Sequence, residues 1–224
     1  MSTIQRINSW FHRKAHLIFL VSLVNAIVVI VFIGPEIRDL VDNVLASLII
    51  ISAMYLLTNG NDHLWLVRFT GMLALAGNWL DFLLEDMKLL NACIFAASSL
   101  FYFLVLRHLF LLIFKSRRVN EDIIFASISG YILLGLIGAL CCRLVNLFYD
   151  GAYISNVANE LARADFVYYS FVTLTTLGYG DIVPINVQSK ALALFIALAG
   201  QLYLTILIAI IVGKYIRDSP NDSQ

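Results

Sequence analysis

The chain has 224 residues, 61% of them hydrophobic and 13% charged, where an ordinary soluble domain is about a quarter charged. Fifteen Lys and Arg balance fifteen Asp and Glu, so the formal net charge is zero, and the main basic cluster is the short run Lys115, Arg117 and Arg118. This composition describes an integral membrane protein in a lipid bilayer and gives no support to nucleic-acid binding.

In chain order, residues 1–15 are polar and carry Arg6, Arg13 and Lys14 around Trp10 and Phe11. That pattern fits a short helix on the inner membrane surface or an unstructured leader. No small-residue cleavage pattern follows, so a cleaved signal peptide is not expected. A crossing needs roughly 20 mostly apolar residues to span a hydrocarbon core of about 30 Å. Six stretches approach that length: 16–34, 44–58, 64–84, 92–114, 123–148 and 187–215. Between the fifth and sixth, a polar loop precedes an apolar helix expected over 165–175, about three turns and too short to cross. A helix ending at mid-depth leaves carbonyls that are tolerated only against protein or a water-filled cavity. The three cysteines, Cys93, Cys141 and Cys142, sit in apolar surroundings without metal-ligand spacing and read as buried small hydrophobes.

Numbering the loops with the N-terminus inside places ten Lys and Arg on the inner side and five on the outer. Both termini are therefore expected in the cytoplasm of a multi-pass cell-membrane protein. Composition shifts at 115–122, read as a linker between a four-helix unit and a two-helix unit. The stretch after Lys214 is ten residues long, too short for a nucleotide-, calcium- or NAD-binding domain, so a regulator is expected from another chain.

Residues 173–181 read Thr-Leu-Thr-Thr-Leu-Gly-Tyr-Gly-Asp. In an ordinary strand successive carbonyls point to opposite sides. A row facing one axis needs alternating right- and left-handed backbone, and glycine permits the left-handed steps. Gly178 and Gly180 alternate with Leu177 and Tyr179 in that order, and Thr176 ends the row with a carbonyl and a hydroxyl. Such oxygens replace the hydration shell of a potassium ion. Thr176, Leu177, Gly178 and Tyr179 are the expected ligands, Gly180 completes the ion-binding stretch with them, and Thr175 supports it. Leu177 and Tyr179 are expected to turn their side chains away from the ion and wedge the strand against protein behind it. The helix before it aims its negative dipole end at the inner cavity, and Asp165 suits its positive end.

These residues resemble the pore region of the tetrameric potassium channels, and the chain as a whole is similar in plan to their six-segment, voltage-gated-like branch. The likeness is strongest over 166–216 and only architectural before residue 115. It implies an all-α membrane protein of six transmembrane helices plus a re-entrant pore helix and selectivity-filter loop, assembled as a homotetramer. Its implied parts are a cytoplasmic interfacial segment 1–15, a voltage-sensor-like unit 16–114, a linker 115–122, a pore domain 123–216 and a cytoplasmic tail 217–224. Tyr168 and Tyr169 fall where many members carry a Trp-Trp pair bracing the filter, and Asp181 matches the aspartate that hydrogen-bonds to that brace. Leu177 stands where Val is usual, and Val172 where some members have a buried glutamate.

Gly200, nineteen positions after Asp181, matches a glycine at which related inner helices bend; a small residue also permits close packing. Thr205 lies on the same helix and either lines the cavity or bonds its own backbone. Reading every third residue of the fourth segment gives Phe101, Leu104, Arg107, Phe110 and Ile113. A steep sensor uses roughly three or four gating charges per subunit, so this single charge predicts weak or absent voltage sensing. The alternatives are a poorly selective cation channel and a non-conducting regulatory subunit. No cofactor and no enzymatic constellation is expected, since His12, His16, His63 and His108 are scattered.

Overall fold

A computed structural model describes residues 14–33, 35–58, 64–83, 88–116, 118–156 and 161–218. The interfacial segment with Trp10 and Phe11, His12, His63 and the end of the tail therefore lie outside the described residues. Seven α-helices are described: α1 (Ala15–Val28), α2 (Arg38–Thr58), α3 (Leu64–Leu83), α4 (Lys88–Lys115), α5 (Glu121–Phe148), α6 (Arg163–Leu174) and α7 (Val187–Asp218). Two short strands, β1 (Tyr153–Ser155) and β2 (Ile182–Pro184), flank α6 and pair antiparallel. The chain forms two compact units, residues 1–110 and 111–224.

Among the described residues, four helical stretches are long and apolar enough to cross a bilayer: Arg38–Leu57, Leu89–Lys115, Glu121–Phe148 and Val187–Ile216. α1 reaches only 14 residues before tightening into a 3₁₀ turn at Val29–Phe32, and α3 is diluted by Arg68, Asn78 and Asp81. α2 begins six residues earlier than the apolar run indicates, so Asp39 and Asp42 belong to the helix. Its first turns are polar because their partners are internal. Asn43 is buried and donates to Asp39 O at 3.0 Å, and Ser47 donates to Asn43 O at 2.7 Å.

Neutral hydrogen bonds join the helices of the first unit. Ser22 and Ser52 hydroxyls meet at 2.8 Å between α1 and α2. Asn78 Nδ2 donates to Asn43 O at 3.1 Å and Trp79 Nε1 to Ser47 Oγ at 3.2 Å between α3 and α2. Phe19, Leu23, Ile50 and Phe101 supply its apolar interior. Cys142 is buried as expected, but Cys93 is exposed on α4, on a surface whose neighbours Leu89, Leu100 and Phe103 are also exposed.

The second unit is built on α5. Asn120 caps it by accepting from Ile123 N at 3.1 Å, and Glu121 and Asp122 occupy its first turn, so the helix starts inside the expected linker. Three glycines leave notches along it. A Cβ at Gly130 would strike the Tyr203 hydroxyl, at Gly135 the Phe171 ring, and at Gly138 the Ser170 hydroxyl. α6 and α7 settle into these notches and lock there: Ser170 Oγ donates to Gly135 O at 2.7 Å, and Tyr203 OH donates to Ser127 O at 2.6 Å. Asn186 caps α7 by accepting from Ser189 N at 2.8 Å. At the other end Lys214 Nζ reaches the carbonyls of Ile113 and Phe114 in the last turn of α4.

Gly200 lies where α7 crosses the C-terminal end of α6. A Cβ there would collide with the Leu174 carbonyl oxygen and approach Leu174 Cδ1 to 2.9 Å. The colliding group is backbone and cannot rotate away. Room for packing is thus the demand that the fold places on Gly200, and α7 runs unbroken through it. Gly200→Ala should lower stability by about 1–3 kcal/mol, as overpacking does, and reduce the melting temperature of the detergent-solubilised protein. An unchanged melting temperature with altered opening would show that bending freedom, not room, is what the glycine supplies.

Candidate functional site

The site is the stretch from α6 to β2. α6 starts two residues earlier than expected, and Asp165 in its first turn accepts from Ala162 N at 2.8 Å, tying off one amide that the helix itself leaves unpaired. At its other end Thr175 Oγ1 donates to Phe171 O at 2.7 Å, Thr175 N to Phe171 O at 3.0 Å, and Thr176 N to Thr173 O at 3.0 Å. The next two amides turn back to a single acceptor: Leu177 N and Gly178 N point at Val172 O, at 3.0 and 3.4 Å. The strand leaving α6 is therefore stitched to its helix by N–H groups.

Its backbone alternates in hand. Thr176, Gly178 and Gly180 have φ of 59°, 60° and 78°, while Leu177 and Tyr179 are on the ordinary side. Glycine accounts for the last two. Thr176 is the residue that sequence reasoning missed as left-handed, because a β-branched side chain avoids that region at a cost of about 1–3 kcal/mol. Alternation turns successive carbonyls toward one side. Among the described residues, the carbonyls of Thr176, Leu177, Gly178 and Tyr179 accept no hydrogen bond. The Gly180 carbonyl differs: it accepts from Asn156 Nδ2 at 3.4 Å.

The two tyrosines divide their work. Tyr168 is partly exposed, and its hydroxyl donates to Asp181 Oδ2 at 2.6 Å. Tyr169 is buried and packs edge-on against Tyr153 at 5.1 Å, in a cluster with Cys142, Phe166, Leu174 and Ile196. Leu177 and Tyr179 do not wedge against their own chain, since their side chains are 58% and 67% exposed. The physical reason is that α6 lies behind the strand's amides and leaves no wall beside its side chains.

Thr205 donates to Gln201 O at 2.8 Å on an exposed part of α7, satisfying its hydroxyl within its own helix. Arg107 is exposed on α4. His16 and His108 are less scattered than the sequence implied, being close enough to interact electrostatically. Among the described residues no group of three or more His, Cys, Asp or Glu could hold a metal ion.

Residues 128–217 match the family model described as ion channel. The A-type voltage-gated potassium channel KCND3 of Rattus norvegicus and of Homo sapiens is 33% identical over 92 residues, covering 41% of this chain and 14% of each relative. The potassium voltage-gated channel protein Shal of Drosophila melanogaster is 30% identical over 92 residues, covering 41% of this chain and 16% of its own length. The alignment thus spans about one-seventh of these relatives. The matched segment is similar to the ion channel family model and to these voltage-gated potassium channels, and contains the whole of α6, the strand after it and β2.

The Tyr168 hydroxyl holds the Asp181 carboxyl below the ordinary carboxylate value of 3.8, opposed by desolvation and aided by the Asp181 and Ile182 amides. The same bond pushes the Tyr168 phenol up to about 12. Because the folded value of Asp181 is depressed, its contribution is complete above 3.8 and is lost as pH falls through that lower value. Tyr168→Phe should therefore move the Asp181 titration up toward 3.8, read from its carboxylate infrared band against an Asp181→Asn control. A titration that stays put would mean that the bond is not what holds the group ionised.

Proposed function

We propose that four copies of this chain form a potassium-selective channel that conducts K⁺ passively across a cell membrane. The observation carrying this reading is the run 176–180, with positive φ at every second residue and four successive carbonyls left without a hydrogen-bond partner among the described residues. Buried or pore-lining carbonyls need partners, and four strands about one axis give them a shared one: a dehydrated cation. Ions bind by exchanging water for carbonyl oxygens and leave by mutual repulsion between adjacent sites. The C-terminal end of α6 adds partial negative charge on the cavity side.

One chain supplies one strand, and a closed ring requires a symmetric assembly. The exposed faces support it. Leu177 and Tyr179 lack a wall, and α7 carries Leu194, Phe195, Leu198 and Leu202 uncovered along its length. A neighbouring copy supplies the wall that the wedge needs, and the remaining apolar surface meets lipid. In this reading α1 and α3, though shorter or more polar than the other four spans, complete six crossings with both termini inside, and α6 is re-entrant. Asp181, Tyr168 and Tyr169 brace the filter. No enzymatic step is involved.

Voltage sensing is weak in this account. Arg107 is the one Lys or Arg in the interior of α4, between Lys88 and Lys115. One elementary charge moving through the full field is worth about 2.3 kcal/mol per 100 mV, so four such arginines supply at most about 9, against the tens used by steep sensors. The hydrogen bonds joining α2 to α1 and to α3 link neutral groups, which hold the helices together.

Purified protein in liposomes with unequal K⁺ and Na⁺ should give a reversal potential near the potassium limit; a value near zero would contradict selectivity. Gly178→Ala should abolish selective flux while leaving insertion intact. A Cβ there meets nothing within 4 Å, so the effect comes from backbone conformation, at about 1–2 kcal/mol per strand, repeated in four strands. Unchanged selectivity in this variant would remove the ligand assignment.

A further inference from the structure

The α5–α6 loop is built against the far end of the filter strand. α5 ends where Tyr149 N bonds Val145 O, and the chain turns through Gly151, whose φ of 71° requires a left-handed residue. It then runs back beside residues 180–185. Ile185 N donates to Ala152 O at 2.9 Å and Asn156 N to Asp181 O at 2.9 Å, bracketing the β1–β2 ladder. Tyr153 anchors this loop from behind. It is buried, with its ring 5.7 Å from Phe166 and 5.1 Å from Tyr169, both on α6. Beyond the ladder, Asn156 Nδ2 reaches the Gly180 carbonyl.

We propose that Asn156 is a positioning residue for the filter exit, and that the β1–β2 clamp sets how long the four free carbonyls stay in register. The inference rests on the potassium-filter reading. Gly180 is left-handed and has no side chain to resist rotation of its peptide plane. Its carbonyl is held by Asn156 Nδ2, and the next carbonyl, that of Asp181, by the Asn156 backbone amide. The Asp181 side chain is held by Tyr168. Residue 181 is thus fixed from two elements, α6 and the loop after α5, and freedom in either one passes directly into the peptide next to the row. The side chain of residue 156 controls one of these bonds; the backbone amide persists in any variant.

The test uses the full chain reconstituted in planar bilayers, comparing wild type with Asn156→Ala, Asn156→Asp and Asn156→Gln. Loss of the amide donor should speed the decay of potassium current during sustained opening by about threefold, the scale of one modest hydrogen bond. Asn156→Asp, which places a negative oxygen against a carbonyl, should decay at least as fast, and Asn156→Gln should recover part of the wild-type lifetime. The difference from wild type should shrink at high external K⁺, because an ion bound in the row stabilises the arrangement that holds it. Equal decay in all variants at every K⁺ concentration would overturn the proposal. So would a fall in protein yield or channel number with unaltered decay, which is the mark of a folding role alone. Absence of potassium current in the wild type would instead count against the filter reading, and is distinguishable for that reason.

Discussion

Read as a pore, the second unit depends on one constraint: four consecutive peptide carbonyls turned to one side that accept no hydrogen bond among the described residues. A backbone left to itself does not do this, since strands alternate their carbonyls and helices consume them. The chain meets the demand by making every second residue left-handed, at Thr176, Gly178 and Gly180. It then restrains the strand through groups other than those four carbonyls. Leu177 and Gly178 amides hold to Val172, the Tyr168 hydroxyl holds Asp181, and the loop after α5 holds Gly180 and Asp181 from outside. The strain at Thr176 is tolerated because its amide is bonded to Thr173 and its neighbours are fixed on both sides.

The packing beneath this strand explains why α5 is rich in small residues. Gly130, Gly135 and Gly138 each receive a side chain from α6 or α7 that a methyl group would displace. Ser170 and Tyr203 then bond carbonyls of α5, which fixes the depth at which each helix sits. α6 is held by α5 on one side and by the close approach of Gly200 on the other. The position of the strand 176–180 is therefore a consequence of helix contacts some distance from it, with Tyr153 and the short ladder packed beside α6.

Much of this was legible in the sequence where residue type and conformation are tightly linked. Gly178 and Gly180 announced left-handed steps, a short apolar run between polar flanks announced α6, and the spacing of Tyr168 from Asp181 was suggested by resemblance. Thr176 was legible as an oxygen donor but not as left-handed, because threonine ordinarily avoids that region. Asn156 was invisible: a lone asparagine in a polar loop has no periodic signal, and its meaning comes from a pairing across 24 positions. The start of α2 was hidden for a related reason. Its first residues are polar, and only their internal partners reveal that they are helical. Cys93 shows the limit of hydrophobic reasoning in a membrane chain, where an apolar residue is as well placed on the outer surface as inside.

The first unit stands in contrast. Its helices resemble in plan a domain that moves charge, yet the hydrogen bonds joining α2 to α1 and to α3 link neutral groups, and its fourth helix offers Arg107 as the one Lys or Arg between its ends. The account therefore places function in the strand after α6 rather than in the helices before it. The most direct measurement is the structure of the assembled protein with a heavy, potassium-like cation such as thallium, located by anomalous scattering. The account predicts ions in single file on a fourfold axis, each between rings of oxygens from residues 176–179. An axis without ions, or strands that turn these oxygens away from it, would contradict it.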